Sequence, residues 1–290
     1  MADRTVVLSD GTPLWTTSAG SGAPVLLCHG GPGLWDYLGS LAALLDDRFT
    51  VVRFDQRGCG RSGGGGPFTI AQAVDDVDQV RAAYGFERCA VVGHSWGAEL
   101  VLRYAAHRPD RTAAVGYLAG IGAGNDYQAG YVATRDERLG ADRARWAELG
   151  ERTDRTADEE REFCLLQWRA DFSPATAAVH ARELWDTRPS GVEVNQLANR
   201  QLWGDRASED LLELARRVSC PVLMMSGADD PRPWHVTDAL HAALPLADRV
   251  VLADAGHAPW AERPETVRTL LAEFLRTACA EAAGPDTRWR

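Results

Sequence analysis

The chain has 290 residues, 45% of them hydrophobic and 25% charged, with a formal net charge of −10. That balance suits one large α/β domain with room for an inserted subdomain, and the acidic surplus argues against nucleic acid or an anionic membrane surface as partner. All 31 basic residues are arginine, which excludes a Schiff-base lysine and a P-loop lysine, so the four glycines at 63–66 read as a loop and not a phosphate cradle. In chain order, "TVVLSDGTPLWTT" (5–17) alternates and turns at Asp10-Gly11, a hairpin signal. "PVLLCHG" (24–30) is an unbroken apolar run, as a strand covered on both faces requires. A helical stretch at 35–45 precedes the strand "FTVVRFD" (49–55). Thr69 and Gln72 have capping-box spacing and open a helix with Ile70, Val74, Val77 and Tyr84 on one face. A strand "CAVVGH" (89–94), a helix over 96–107 and a strand "TAAVGYLAG" (112–120) follow.

The rhythm then changes. Residues 122–215 are rich in Arg, Glu, Asp and Trp and read as helices without strands. Alternation returns with "CPVLMMSG" (220–227), a helix at 235–244, "RVVLADAG" (249–256) and a helix over 265–277, and residues 279–290 read as a polar tail. Strands alternating with helices imply a mostly parallel sheet covered on both faces. The expected organisation is an α/β core of residues 1–121 and 216–290, with 122–215 as a helical cap over the carboxyl edge of the sheet, where open α/β sheets bind ligands. The six cysteines form no C-x-x-C pair and three of them border apolar runs, as reduced, buried thiols do. No apolar core marks a leader at the N-terminus and no run reaches the ~20 apolar residues of a membrane span. The expectation is a soluble cytoplasmic protein.

"VVGHSWGAEL" (91–100) carries the chemistry. Ser95 stands between Gly93 and Gly97 where a strand gives way to a helix, the context of a nucleophile elbow. Serine needs a base to take its proton, and His257 in "DAGHAPWAERP" follows the last strand, in the Ser, Asp, His order this architecture uses. The acid that orients it falls in "MMSGADDP": Asp230 is favoured, with its neighbour Asp229 as the alternative. The developing oxyanion needs amide donors. The backbone N–H of Trp96 is one, and Gly31 in "HGGPG" is the other, with Gly30 as alternative. Asp55, Arg57 and Arg61 are expected to tie down a loop by hydrogen bonds. Neither H-E-x-x-H nor a cysteine–histidine cluster with metal spacing occurs, so no metal is expected.

"HGGPG" (29–33), "DQRGCGRS" (55–62), "GHSWG" (93–97) and "GHAPWAERP" (256–264) together resemble the α/β-hydrolase superfamily, and the Ser-Trp-Gly elbow resembles its proline iminopeptidases. The resemblance covers about residues 20–120 and 218–277. It implies a helical cap, no cofactor, and release of an N-terminal proline from a short peptide or amide. Position 94 departs from those peptidases, which carry Gly where this chain has His. Their tryptophan–glutamate signature is absent from 122–215, where "QWRADF" (167–172) comes nearest. An aminopeptidase must pair the substrate ammonium with a carboxylate. Glu193 in "SGVEVNQ" is the leading candidate and Glu183 in "ARELWD" the second. The alternative substrate is a small ester, lactone or thioester. A reading of a different class, a ligand-binding protein on a hydrolase scaffold, is disfavoured by the complete Ser, Asp and His set.

Overall fold

The computed structural model describes residues 2–283. An eight-stranded sheet runs in the order β1-β2-β4-β3-β5-β6-β7-β8. Its strands are β1 (Ala2–Val7), β2 (Pro13–Ala19), β3 (Ala23–Cys28), β4 (Phe49–Phe54), β5 (Cys89–His94), β6 (Thr112–Leu118), β7 (Val222–Gly227) and β8 (Ala247–Leu252). The first two form an antiparallel hairpin and the other six are parallel. The hairpin turn falls at Asp10-Gly11 as its sequence demands: Gly11 has φ +84° and the Asp10 carboxylate accepts the Thr12 N–H.

The helices are α1 (Gly39–Ala43), α2 (Ile70–Ala83), α3 (Trp96–His107), α4 (Tyr127–Leu139), α5 (Arg143–Glu151), α6 (Ala157–Arg169), α7 (Ala177–Asp186), α8 (Gln196–Asp205), α9 (Leu211–Arg216), α10 (Asp238–Ala243), α11 (Pro259–Glu262) and α12 (Pro264–Ala283). β5, β6 and β7 are buried at every position. Their alternate side chains feed two cores, because strand residues point to opposite faces in turn. Leu26, Val91 and Met224 pack with Val74, Val101 and Leu240 of α2, α3 and α10. Val25, Leu27 and Val92 pack with Leu41, Leu271 and Leu275 of α1 and α12.

Three elements differ from expectation. The helix expected over 35–45 shrinks to Gly39–Ala43, because the Asp36 carboxylate caps the Leu38 N–H and Tyr37 is drawn away to β5. The tail expected from Cys279 is helical through Ala283, and Cys279 is buried in the second core; its remainder, 284–290, lies outside the described residues. Helix α9, within the segment expected as cap, packs against α3 and α10.

Helices α4 to α8 all lie between β6 and β7 in the chain. The chain leaves β6 and returns after α8 at one place, held by Arg206. Its guanidinium donates to the buried Glu99 carboxylate of α3 at 2.8 Å, to the Gly122 carbonyl at 3.1 Å and to Asn125 Oδ1 at 3.1 Å. All six cysteines are free and buried. Among the described residues no helix is long and apolar enough to cross a membrane.

Candidate active site

Three strand ends build the site. At the end of β5 the chain turns into α3 through Ser95, a non-glycine residue at φ +56°, ψ −117°. Such a conformation costs on the order of 1–3 kcal/mol and persists only where its surroundings enforce it. The flanking glycines are that enforcement. A Cβ on Gly93 would fall on the Gly97 carbonyl, and a Cβ on Gly97 would fall on the carbonyls of Cys28 and His29. Strand β3, the elbow and α3 therefore meet backbone to backbone, and Ser95 is presented to a cavity of about 700 Å³. The α3 N-terminus follows directly, so its unpaired N–H groups and positive dipole end face the same place.

His257 follows β8, and Asp230 follows β7. Asp230 Oδ2 accepts His257 Nδ1–H at 2.6 Å, with both side chains buried. The neighbouring Asp229 points elsewhere and accepts Ser173 Oγ–H at 2.6 Å. Burial raises Asp230 to about 6, against the opposing pull of Arg232. Burial, seconded by the Arg232 charge, lowers His257 to about 3. Burial drives both shifts, and the guanidinium deepens that of His257 while it opposes that of Asp230. The imidazole is neutral, with its proton on Nδ1 and Nε2 open to a hydroxyl.

The loop after β3 is held by two side chains: Tyr37, for which the sequence shows no role, and His94, which the sequence marks only as a departure from the iminopeptidases. Gly30 N–H donates to Tyr37 Oη at 2.8 Å, and Tyr37 Oη lies 2.6 Å from His94 Nδ1. His94 Nε2 lies 2.7 Å from the His257 carbonyl, which can only accept. The proton is thus on Nε2, Nδ1 is the acceptor, and the tyrosine hydroxyl donates to it. Burial, then the neighbouring His257, keeps His94 far below its ordinary value and so neutral. One hydrogen-bonded chain ties the glycine loop, the elbow and the base together. It also occupies Gly30, leaving Gly31, which lines the cavity, to face a ligand. Gln56 completes the frame: its Nε2–H donates to the His29 carbonyl, and its Oε1 accepts the Trp96 indole N–H. The Asp55 carboxylate takes the backbone N–H groups of Asp36 and Arg61, and Arg57 pairs with Asp76 and Asp10. These are the loop ties expected of that motif.

The cavity wall is rich in aromatic and apolar side chains, among them Leu34, Phe163, Trp168, Phe172 and Trp260. Glu193, the leading amine anchor from sequence, is exposed and is not among the residues that line the cavity. Glu183 lines the wall, with its side chain 64% exposed and within 2.8 Å of His180. Two further acidic residues line the wall: Glu160, whose run Asp158-Glu159-Glu160 reads in sequence as a solvated helix face, paired with Arg155 at 2.5 Å, and Asp171, paired with Arg232 at 2.7 Å. Asp171 belongs to "QWRADF", and its aromatic neighbours were the available signal. Among the described residues no three His, Cys, Asp or Glu side chains cluster as a metal site would need.

Residues 25–270 match the sequence pattern described as "Alpha/beta hydrolase family". The chain belongs to the α/β-hydrolase family. Among the relatives of this hydrolase is the "Putative carbamate hydrolase RutD" of Enterobacter cloacae, 32% identical over 270 residues, or 92% of each chain. Another is a proline iminopeptidase of Heyndrickxia coagulans, 25% identical over 89% of this chain and 92% of its own. The crystal structure of the proline iminopeptidase of Mycobacterium smegmatis superposes with a TM-score of 0.72 at 22% identity, covering 97% of this chain and 100% of its own. The resemblance drawn from the motifs, and the mostly parallel sheet flanked by helices, are thereby shown. At that identity the structural likeness speaks to the fold alone.

Proposed function

We propose that this hydrolase is a serine enzyme cleaving small uncharged acyl substrates (esters, amides or carbamates) through an acyl-enzyme on Ser95. The observation that carries the reading is the 2.6 Å Asp230–His257 contact opening on the same cavity as Ser95. In the first step Ser95 Oγ attacks the carbonyl carbon while its proton passes to His257 Nε2. Asp230 keeps Nδ1 protonated and stabilises the imidazolium that forms. The tetrahedral oxyanion takes N–H donors from Trp96 and Gly31. Collapse expels the alcohol or amine with the proton from His257. Water, deprotonated by the same nitrogen, then frees the acid.

The uncharged substrate class follows from the wall. Two of its carboxylates, Glu160 and Asp171, already pair with arginines, and the third, Glu183, is 64% exposed and hydrogen-bonded to His180. A desolvated ammonium would have to compete for one of them. Residues 122–215 act in this reading as a cap, supplying Phe163, Trp168 and Phe172 to the substrate wall. The second reading is an aminopeptidase of proline-like N-termini. It is favoured by the iminopeptidase relative and by Glu183 at the wall. A cytoplasmic setting fits either.

The test is a fluorophosphonate probe followed by a substrate panel. The wild-type serine is labelled and Ser95→Ala is not. Short acyl esters and carbamates turn over faster than proline arylamide. Absence of labelling in folded protein defeats the serine-hydrolase reading, and proline arylamide as the best substrate installs the second one.

A further inference from the structure

Arg232 takes no part in the proton relay, yet it is packed beside it. It stands two residues after Asp230 in the loop that leaves β7. Its backbone N–H donates to Asp230 Oδ1 at 2.9 Å, and its Nη1 lies 3.6 Å from the same oxygen. Nη1 also donates to Asp171 Oδ1 at 2.7 Å. The guanidinium lies over the Tyr131 ring of α4, with Cζ 4.4 Å from the centroid. Asp171, just after α6, reaches the base by a second route: its main-chain carbonyl accepts the His257 N–H at 2.7 Å. A single residue of the helical segment thus holds the base by its backbone and, by its side chain, a cation against the acid.

We infer that Arg232 and Asp171 are a positioning pair that sets the proton affinity of the Asp230–His257 dyad from the helical side of the cavity. The inference rests on the serine-hydrolase reading for its consequence in catalysis, but the pair acts on the dyad whatever the substrate.

The charges around the dyad leave these two in command. From β5, His94 is neutral and donates to the His257 carbonyl. From α11, Glu262 is engaged by the backbone N–H groups of Gly256 and Ser173. From α4, Arg138 binds the carbonyls of Ala170, Phe172 and Asp229, and Tyr131 lies under Arg232. Asp229 faces Ser173. Among the described residues, Arg232 is the one arginine with a nitrogen within 4.0 Å of an Asp230 oxygen. A fixed positive charge at that range opposes proton uptake by either dyad member. The two groups titrate as a unit, so the sign does not depend on where the proton finally sits. Removing the Arg232 charge makes uptake easier and moves the acid limb of activity to higher pH. Asp171 partly cancels that charge, so neutralising Asp171 moves the limb to lower pH. Simple structural damage would lower activity without moving the limb in opposite directions.

The experiment compares wild type, Arg232→Gln, Asp171→Asn and Arg232→Lys. The acid limb of kcat/KM is measured on a short acyl ester, and the His257 ring resonances are titrated by NMR, assigned with His257→Gln. Arg232→Gln raises the midpoint by about one pH unit, from the effect of one charge at this distance. Asp171→Asn lowers it, and Arg232→Lys stays near wild type. Shifts of the same sign in Arg232→Gln and Asp171→Asn, or lost activity with unmoved midpoints, overturn the inference. If Arg232→Gln does not fold, Asp171→Asn decides the matter alone: an unmoved or raised midpoint is fatal. A wild-type protein that neither hydrolyses the ester nor takes the fluorophosphonate defeats the serine-hydrolase reading, while the NMR titration still tests the pair.

Discussion

Replacing Asp230 by asparagine removes one charge and almost no volume, and the consequence can be worked out atom by atom. Asp230 Oδ1 accepts the Arg232 N–H at 2.9 Å and faces its guanidinium at 3.6 Å, whereas Oδ2 faces one donor, His257 Nδ1, at 2.6 Å. An asparagine has a single carbonyl oxygen. The Arg232 side offers two donors, so the oxygen turns that way and the amide N–H₂ is left facing His257. Nδ1 must then accept, which moves the ring proton to Nε2, where it blocks uptake of the Ser95 proton. The same wrong-tautomer defect in serine proteases costs on the order of 10⁴ in turnover, or about 5.5 kcal/mol of transition-state stabilisation. Asp229→Asn keeps an oxygen free to accept from Ser173, so it loses at most about threefold in kcat, as a surface-type change does. Steady-state ester hydrolysis and the rate of fluorophosphonate labelling measure both variants. A folded Asp230→Asn within tenfold of wild type, or a larger loss in Asp229→Asn, refutes the assignment of the acid.

Tyr37→Phe strips a partner from both the Gly30 N–H and His94 Nδ1; it destabilises by about 1–3 kcal/mol in a urea melt and lowers kcat more than it changes KM, because the loop it holds carries Gly31. Gly97→Ala drives a Cβ onto the carbonyls of Cys28 and His29; neither is a flexible side chain, so the cost is at least about 1–3 kcal/mol by thermal melt, with labelling of Ser95 slowed. With Asp230 raised to about 6 by burial, protonation of the dyad breaks the orienting contact as pH falls through that value; kcat/KM declines below about pH 6 and is level above it until another group intervenes, which a pH–rate profile reads directly. Glu193 is exposed and outside the wall, so Glu193→Gln leaves ester and proline arylamide hydrolysis within about twofold, and a selective loss of arylamide turnover would restore it as an amine anchor.

What the sequence disclosed and what it withheld divide along physical lines. β3, β5 and β7 were legible as unbroken apolar runs because helices cover both faces of the sheet, and the Ser95 elbow was legible because its two glycines answer to backbone contacts that admit no Cβ. The choice between Asp229 and Asp230 was not legible, since adjacent residues differ only in which way the loop turns. Helix α1 was overdrawn because Asp36 and Tyr37 prefer tertiary partners to helical ones. The hydrogen-bonded chain through Tyr37 and His94, and the contacts of Asp171 with Arg232 and His257, join residues 57 to 163 and 61 to 86 positions apart. No local pattern announces such pairs. The apolar neighbours that mark Glu193 in the sequence, Val192 and Val194, pack against the second core, while Glu193 itself is exposed.

The clamp at Arg206 has a consequence for how this protein can be rebuilt. One guanidinium touches Gly122 and Asn125 on the outgoing strand of chain and follows α8 on the returning one, so the 80-odd residues between form an excursion that starts and finishes at a single point on α3. Because the two ends already lie together, closing the gap with a few residues costs little chain entropy. The excursion can therefore be exchanged for a helical segment from another hydrolase with the Glu99–Arg206 contact kept as the graft junction, provided that the new segment returns a carbonyl to the His257 N–H and a carboxylate to Arg232, as Asp171 does. Substrate preference would then be open to laboratory evolution within the exchanged segment, with the two contacts of Asp171 as the only part of it that acyl transfer holds fixed.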